Sequence, residues 1–267
     1  MNHHLVSQEA PSIAAIAAAL GELACRFDVD VLAQCDSSNA RLLERAETGA
    51  PCGSVLVACE QTAGRGRRGR HWLSAPGDSL TFSLLWRFPP AVSLAGLSLA
   101  VGVALLRALA AQGVSDLSLK WPNDLLLGRR KLAGVLIELL PRDPHTAVIG
   151  IGINLRLPAA MPEALRALSV GLDAALSPLP DGSLIVARVL RELNAVLTAF
   201  AELGFAPLRQ EWLDRHLFQG QAVQLLSDFA PPVVGICHGV DVDGALLLET
   251  SAGVERVISG EISLRPA

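Results

Sequence analysis

The formal net charge of −4 on this 267-residue chain excludes a molecule that binds polyanions through its overall charge. With 51% hydrophobic and 18% charged residues, the chain can bury a large core, as one large domain or as a large and a small one. Its five cysteines are odd in number and lack CxxC spacing, which argues against a disulfide framework or a metal site and favours a cytoplasmic protein. The N-terminus lacks the pattern of a signal peptide, and the most apolar run, residues 91–106, is too short to cross a membrane.

The first predicted elements lead into a short polar segment. Residues 11–23 are alanine-rich with helical spacing, and residues 29–34 have the character of a strand that runs into D-S-S-N at residues 36–39. Ser37 or Ser38 is placed to cap a helix that ends at Gly49. Because the free N–H groups of a helix start also bind polar ligands, the segment predicts a structural cap, a ligand contact, or both.

A glycine-arginine loop, defined as residues 61–72, follows a strand predicted for residues 54–59. It reads Q-T-A-G-R-G-R-R-G-R-H-W, so three glycines alternate with four arginines. Glycine lets the backbone approach an anion closely, and guanidinium groups can close around it. Taken alone, the loop fits a small anionic ligand, a solvated basic surface or a nucleic-acid patch. Repulsion among the arginines predicts that the loop is mobile when empty and ordered when a ligand bridges it.

The central segment predicts a strand, a long buried helix and a hairpin. The strand covers residues 79–88, and the helix covers residues 93–112. The hairpin, residues 117–140, is interrupted by K-W-P-N-D, where proline excludes regular pairing. Lys131 begins an otherwise apolar strand, and burying its ammonium group is unfavourable unless it meets an anion. A stem that lies along the strand with its charge in solvent is the alternative.

The second half of the chain predicts a strand, two helices and then a change of architecture. The strand at residues 147–155 contains G-I-G-I-N, which lacks the third glycine and the helix of a dinucleotide fingerprint, and its Asn154 is a turn residue or a ligand contact. Helices are expected at residues 184–203 and 207–218. Four short strands between residues 221 and 258 then predict a separate small β-barrel. The predicted fold class is α+β, with domains at residues 1–218 and 219–267.

Six motifs, taken together and in order, resemble the bacterial biotin protein ligases. They are D-S-S-N, E-Q-T-A-G-R-G-R-R-G-R-H-W, K-W-P-N-D-L, R-K-L-A-G-V-L-I-E, G-I-G-I-N-L and G-E-I-S-L-R, and the resemblance covers about residues 29–265. The resemblance implies a mixed-sheet α/β sandwich of the biotin/lipoate ligase type, followed by an SH3-like barrel. It also implies a two-step reaction, in which ATP activates biotin as biotinyl-5′-adenylate and a lysine of a biotin carboxyl carrier protein then displaces AMP.

The resemblance also implies roles for individual residues. Catalytic roles fall to Arg67 and Lys131, and to Asp124, which orients or deprotonates the incoming lysine or is only a turn residue. Biotin-binding roles fall to Ser37, Ser38, Asn39, Gln61, Gly64, Arg65, Gly66, Arg67, Lys131 and Gly134. Nucleotide-binding roles fall to Arg70, Trp72, Asn123, Asn154 and Arg265. Mg²⁺ is expected to accompany ATP, without a dedicated metal site in the protein.

Three alternatives to a biotin ligase stay open at this point. A lipoate-protein ligase would share the fold and the adenylate chemistry, although the G-R-G-R-R-G loop favours biotin. A biotin-sensing regulator needs a DNA-binding domain, and the short alanine-rich start has no recognition helix, so we expect a monofunctional enzyme without a nucleic-acid partner. A non-catalytic binding module would not need Lys131 and four arginines at one anionic centre. The enzyme is expected to be a monomer or a homodimer that does not associate with membranes.

Overall fold

The computed structural model of the protein describes residues 10–227, 231–258 and 262–266; residues 1–9, and Gly260 and Glu261 of the terminal motif, lie outside this part. The helices are α1 (Ile13–Leu20), α2 (Ser38–Glu47), α3 (Leu97–Ala110), α4 (Glu163–Arg166), α5 (Gly182–Leu203) and α6 (Arg209–Asp214). The strands are β1 (Asp28–Leu32), β2 (Ser54–Ala58), β3 (Ser79–Arg87), β4 (Leu117–Lys120), β5 (Asp124–Leu127), β6 (Arg130–Leu140), β7 (Asp143–Asn154), β8 (Ala222–Ser227), β9 (Val233–Val240), β10 (Leu246–Thr250), β11 (Gly253–Val257) and β12 (Ile262–Pro266). This mixture confirms the predicted α+β class. Within the described ranges, no helix combines the length and the apolar character needed to cross a bilayer.

The first of two compact units contains the described residues up to Arg87 together with Leu132–Arg191. Its strands lie side by side in the order β1, β2, β3, β7 and β6. The pairing of β1 with β2 is parallel, whereas the three following pairings are antiparallel. The strands of this unit therefore form the mixed sheet that the resemblance implies.

The two faces of this sheet differ because β3 alternates in side-chain character. Every second residue of β3 is a large apolar side chain, and the residues between them include Thr81 and Ser83. The residues directly opposite Thr81 and Ser83 on β7 are Gly152 and Gly150. One face of the sheet is thus apolar, and the other, which we call the polar face, carries hydroxyl groups and glycines.

Helix α2 packs on the polar face. Leu42 and Ala46 in its second half form an apolar cluster with Leu85 and Val148 of the sheet. This cluster fixes the helix by hydrophobic burial and leaves its first turn above Ser83. The packing therefore places the D-S-S-N motif against the polar face.

The second compact unit contains Phe88–Lys131 together with the described residues from Glu192 onward. Strands β4 and β5 form an antiparallel hairpin, and the C-terminal strands form an antiparallel sheet in the order β11, β10, β9, β8 and β12. Its two outer strands are not paired with each other in the described residues, so the predicted small barrel is an open sheet there. The domain boundary after residue 218 stays a prediction.

Two predicted helices prove shorter than expected. Helix α3 begins after Gly96, not at residue 93, because Gly96 has a φ of 78° that breaks the helical conformation. The helix predicted at residues 207–218 ends at Asp214, because the chain beyond it pairs with β4. There the N–H of Leu119 donates to the carbonyl of Arg215 at 2.7 Å, a tertiary contact that sequence periodicity does not encode.

Candidate active site

The first turn of α2 is held by a side-chain cap. Ser37 is the N-cap residue, and its Oγ accepts a hydrogen bond from the N–H of Ala40 at 3.5 Å. Asp36 supports the cap, because its Oδ1 accepts from the Ser37 N–H at 2.7 Å and from Arg41 Nε at 2.9 Å. The hydrogen bond from the Ser37 backbone and the adjacent Arg41 charge lower the pKa of Asp36. The predicted cap is confirmed, while the ligand contact of this segment stays a prediction.

A buried hydrogen-bond chain connects this turn to the polar face. Ser83 Oγ donates to Asn39 Oδ1 at 2.6 Å. Since that bond uses the only proton of the Ser83 hydroxyl, Ser38 must donate in the 2.7 Å contact between the two hydroxyls. The oxygen of Ser38 is left as an acceptor for a further donor. Ser38, Asn39 and Ser83 are all buried, and sequence reasoning missed Ser83, although the alternation of β3 places it on the polar face.

Gln61 connects the same turn to the glycine-arginine loop. Its Oε1 accepts from the backbone N–H of Ser38 at 2.7 Å, so it satisfies one of the free N–H groups of the helix start. Its own N–H donates to Ser74 Oγ at 3.2 Å, on the return path of the loop. The structure therefore brings Gln61 and the D-S-S-N motif together, as predicted.

The glycine-arginine loop folds back on itself as a narrow hairpin. The N–H of Trp72 donates to the carbonyl of Gly64 at 2.9 Å, and the N–H of Gly66 donates to the carbonyl of Arg70 at 2.7 Å. The chain reverses at Arg68, whose φ is 60°. A Cβ at Gly64 would lie 2.5 Å from the Trp72 carbonyl oxygen, so the hairpin cannot close around a larger residue there.

The loop arginines differ in their surroundings. Arg67 is half-buried and Arg70 is exposed. Arg65 Nη2 lies 2.9 Å from Glu138 Oε2, and the same oxygen accepts from Asn39 Nδ2 at 2.8 Å. Sequence reasoning missed Glu138, although a carboxylate in an apolar strand is as unusual a signal as Lys131 at the start of that strand.

Two glycines of β7 make room for side chains on the polar face. A Cβ at Gly150 would lie 2.3 Å from Asn39 Oδ1, and a Cβ at Gly152 would lie 2.4 Å from Cε2 of the Trp72 indole. Both distances are shorter than any non-bonded contact of a Cβ. The G-I-G pattern that imitates a dinucleotide motif therefore has another function, which is to let Asn39 and Trp72 lie on the sheet.

Two further predicted site residues lie on this part of the sheet. Gly134 of β6 is directly opposite Gly152 of β7. Asn154 ends β7, is buried, and donates from Nδ2 to the carbonyl of Val170 at 3.3 Å. The first unit thus collects the D-S-S-N segment, the glycine-arginine loop, Gly134 and Asn154 around one face of its sheet.

The second unit carries the K-W-P-N-D turn and Lys131. Lys131 Nζ lies 2.6 Å from Asp124 Oδ1, and both side chains are partly buried. Asp124 begins β5, directly opposite Lys120 of β4, so two ammonium groups belong to the surroundings of this carboxylate. Asn123 lies in the turn between the two strands and is half-buried. Asp124 thus supplies an anion for Lys131, while the contact of Lys131 with a ligand stays a prediction.

The turn is fixed from both of its sides. The buried indole of Trp121 donates from Nε1 to the carbonyl of Gly244 at 3.1 Å, and Ser98 Oγ donates to the carbonyl of Pro122 at 3.1 Å. The C-terminal sheet and the start of α3 therefore both support the turn. Arg265 lies elsewhere in the same unit, half-buried on β12 and opposite Gln224.

The chemistry of these groups suits a polar neutral ring and an anionic centre. Within the described ranges, no three His, Cys, Asp or Glu side chains gather closely enough to hold a metal ion. Hydroxyl and amide groups around Ser38 offer directional hydrogen bonds, whereas the arginines and Lys131 offer positive charge. Positively charged groups of this kind stabilise developing negative charge more readily than they transfer protons.

Comparison with known proteins finds two matching families. Residues 32–154 match the Biotin/lipoate A/B protein ligase family, and residues 218–265 match the Biotin protein ligase C terminal domain. The chain is 38% identical to the bifunctional ligase/repressor BirA of Escherichia coli, over 90% of this chain and 74% of that protein. It is 36% identical to the biotin–[acetyl-CoA-carboxylase] ligase of Mycobacterium tuberculosis, over 88% of each chain.

A solved structure agrees with these relatives. The biotin protein ligase of Aquifex aeolicus in complex with biotin and ATP superimposes with a TM-score of 0.79 at 32% identity, covering 90% of this chain and 99% of that one. The ligase of Paracoccus denitrificans, also named for acetyl-CoA carboxylase, is 33% identical, and the match covers 98% of its length.

Proposed function

The chain belongs to the biotin protein ligase family, and from this premise we propose how it acts. It is an ATP-dependent ligase that activates biotin and transfers it to protein. The first step joins the carboxylate of biotin to the α-phosphate of ATP and releases pyrophosphate. In the second step a lysine amine of the acceptor attacks the acyl carbon of biotinyl-5′-adenylate, and AMP leaves.

The observation that carries the choice of biotin is the buried chain from Ser38 through Ser83 to Asn39. Its fixed direction leaves the Ser38 oxygen as an acceptor in a buried position. The ureido ring of biotin has N–H donors that meet this need, whereas the dithiolane ring of lipoate has none. A buried acceptor left without a donor costs about 1–3 kcal/mol, which favours biotin.

The cations account for the first step. Biotin and ATP are both anionic, so their approach needs positioned positive charge rather than an acid-base pair. We assign the biotin carboxylate and the α-phosphate to Arg67, with Arg70 as a phosphate contact and Lys131 at the carboxylate that becomes the acyl-phosphate. Arg65 and Gly66 enclose biotin as parts of the same loop.

Asp124 is assigned a positioning role toward Lys131. The 2.6 Å distance between their charged atoms fixes the direction of the lysine side chain. A carboxylate bound in this way holds the ammonium group ready for the acyl-phosphate, and the same oxygen can accept a proton from the incoming acceptor lysine. Trp72 is assigned to the adenine, and Asn123, Asn154 and Arg265 to the rest of the nucleotide.

Mg²⁺ is proposed to arrive with ATP. Because the Asp124 carboxylate is already paired with Lys131 at 2.6 Å, the ion would be held chiefly by the phosphates of ATP, without a dedicated metal site in the protein. When bound, the ion neutralises phosphate charge. The acceptor is proposed to be a lysine of a biotin carboxyl carrier protein, as the printed names of the carboxylase ligases suggest.

A direct assay tests the proposal. The purified chain, ATP, Mg²⁺ and labelled biotin should give an acid-labile adenylate, and label should then pass to a lysine of an added carrier domain. The same reaction with lipoate is the matched control. If lipoate is activated and biotin is not, the assignment to biotin is wrong.

A further inference from the structure

Glu138 joins two parts of the site that the assigned roles leave separate. Its Oε2 accepts from Asn39 Nδ2 at 2.8 Å and lies 2.9 Å from Arg65 Nη2. Asn39 belongs to the first turn of α2, and Arg65 belongs to the glycine-arginine loop. One carboxylate oxygen thus connects the helix proposed to bind the ureido ring of biotin to the loop proposed to enclose biotin.

Glu138 is the more buried partner of this ion pair. It stands in the apolar strand β6 with a side chain only 26% exposed, and a carboxylate there is unfavourable unless its charge is paired. Asn39 is itself fixed, because Ser83 donates to its Oδ1 at 2.6 Å. The carboxylate is therefore oriented from the buried side, and Arg65 meets it from the loop.

The positive charge of the glycine-arginine loop suggests what the bridge through Glu138 does. Four arginines lie within residues 65–70, and their mutual repulsion favours an open loop. Glu138 removes part of that repulsion and ties the first of these arginines to a fixed helix. A loop already held near its closed position binds its ligand more tightly, because less conformational freedom is lost on binding.

We propose that Glu138 is a positioning residue that latches the glycine-arginine loop onto the first turn of α2 and so retains the reactive adenylate. The proposal rests on the proposed function for the nature of the ligand, but the latch itself is formed by groups of this chain alone. The latch and the biotin reaction can therefore fail independently in experiments.

The first experiment uses trypsin, which cleaves after arginine and so reports opening of this loop. The full-length Glu138→Gln variant keeps an oxygen that accepts from Asn39 but loses the charge that holds Arg65. A half-exposed ion pair contributes about 0.2–1 kcal/mol, so cleavage after Arg67, Arg68 and Arg70 should accelerate by about 1.4- to 5-fold. High salt should bring the native rate toward the rate of the variant, because it screens the pair.

A matched control comes from the same unit. Arg45 and Asp30 form a pair at 2.8 Å, with side chains 44% and 40% exposed, and it does not involve the loop. Asp30→Asn should leave cleavage within the loop at the native rate. Glu138→Asp, which keeps the charge on a shorter side chain, should restore part of the protection.

A double-mutant cycle identifies the partner. If Glu138 acts through Arg65, then Arg65→Gln, Glu138→Gln and the double variant should all show the same acceleration at the remaining arginines. Release of preformed biotinyl-5′-adenylate should accelerate by the same factor in Glu138→Gln. A folded Glu138→Gln variant that is cleaved at the native rate would overturn the latch, and an additive cycle would overturn the role of Arg65. Failure to activate biotin, with the proteolysis result intact, would refute the function alone.

Discussion

Two glycines on one strand allow the two halves of the ligand site to be separated experimentally. Gly150 and Gly152 both lie on the polar face of β7, two residues apart. A methyl group at Gly150 would meet Asn39 Oδ1 at 2.3 Å, whereas one at Gly152 would meet the Trp72 indole at 2.4 Å. The same substitution, Gly→Ala, therefore displaces a different side chain at each position.

The expected magnitudes follow from what each displaced side chain does. Ordinary van der Waals contact begins near 3.4 Å, so either neighbour must retreat by about 1 Å. Loss of base stacking on an aromatic ring costs about 1–3 kcal/mol, which predicts a KM for ATP raised about 5- to 150-fold in Gly152→Ala. Retreat of Asn39 breaks its hydrogen bonds to Ser83 and Glu138. Leaving such buried groups unsatisfied also costs about 1–3 kcal/mol. Gly150→Ala should therefore raise the KM for biotin by about 5- to 150-fold.

The assay is biotin-dependent pyrophosphate release with each substrate varied in turn. Each glycine variant serves as the control for the other, because the strand, the face and the added methyl group are the same. Thermal unfolding of both variants checks that the sheet is intact. A further variant, Trp72→Ala, tests the cause: adding Gly152→Ala to it should change the KM for ATP little, because the clash is gone.

Kinetics that do not distinguish the two glycine variants would contradict these assignments. Equal increases in both KM values for both variants would mean that the added methyl groups distort the sheet as a whole. A selective loss of biotin affinity in Gly152→Ala would contradict the proposed placement of Trp72 at the adenine.

The remaining predictions concern the loop, the turn and a buried histidine. Arg67→Gly should shorten the retention of biotinyl-5′-adenylate, measured by its release from a filtered complex, and unchanged retention would remove the role given to that arginine. Trp121→Phe removes the indole N–H that donates to the carbonyl of Gly244 at 3.1 Å, so denaturant titrations should show a free energy of unfolding lowered by about 1–3 kcal/mol. The control Leu203→Ala, at an exposed position, should lower the free energy of unfolding far less. Burial lowers the pKa of His216 to about 4 from 6.5, so stability present above pH 6.5 should decline as pH falls toward 4, by about 3 kcal/mol in total. His216→Phe should flatten that part of the stability curve, and an unchanged curve would contradict the assignment.

Local signals in the sequence predicted the elements, because the physics behind them is local. The position before a helical pattern predicts Ser37 or Ser38 as the cap, and Ser37 caps α2. Lys131 was singled out because its charge conflicts with its strand, and the conflict is resolved by Asp124, only seven positions earlier in the chain. Each of these two predictions uses only the identity of residues nearby in the sequence and the general cost of burying polar groups.

The contacts between distant segments could not be read in this way. Glu138 and Arg65 are 73 positions apart in the sequence, and neither segment contains a pattern that predicts their contact. Helix α6 ends early because β4 binds the chain beyond it, which overrides the helical periodicity of that region. Register decides such contacts, and register follows from the packing of whole elements rather than from any single motif.

Residues without functional groups determine much of this site. Gly64 allows the loop to close, and Gly150 and Gly152 allow Asn39 and Trp72 to reach the sheet. None of these positions carries a functional side chain, and the pattern of Gly150 and Gly152 only imitates part of a dinucleotide fingerprint. Their common property is that a neighbouring group occupies the space of a Cβ. A glycine on the polar face of β7 is therefore a sign that another side chain lies there, and the side chains found in this way are Asn39 and Trp72.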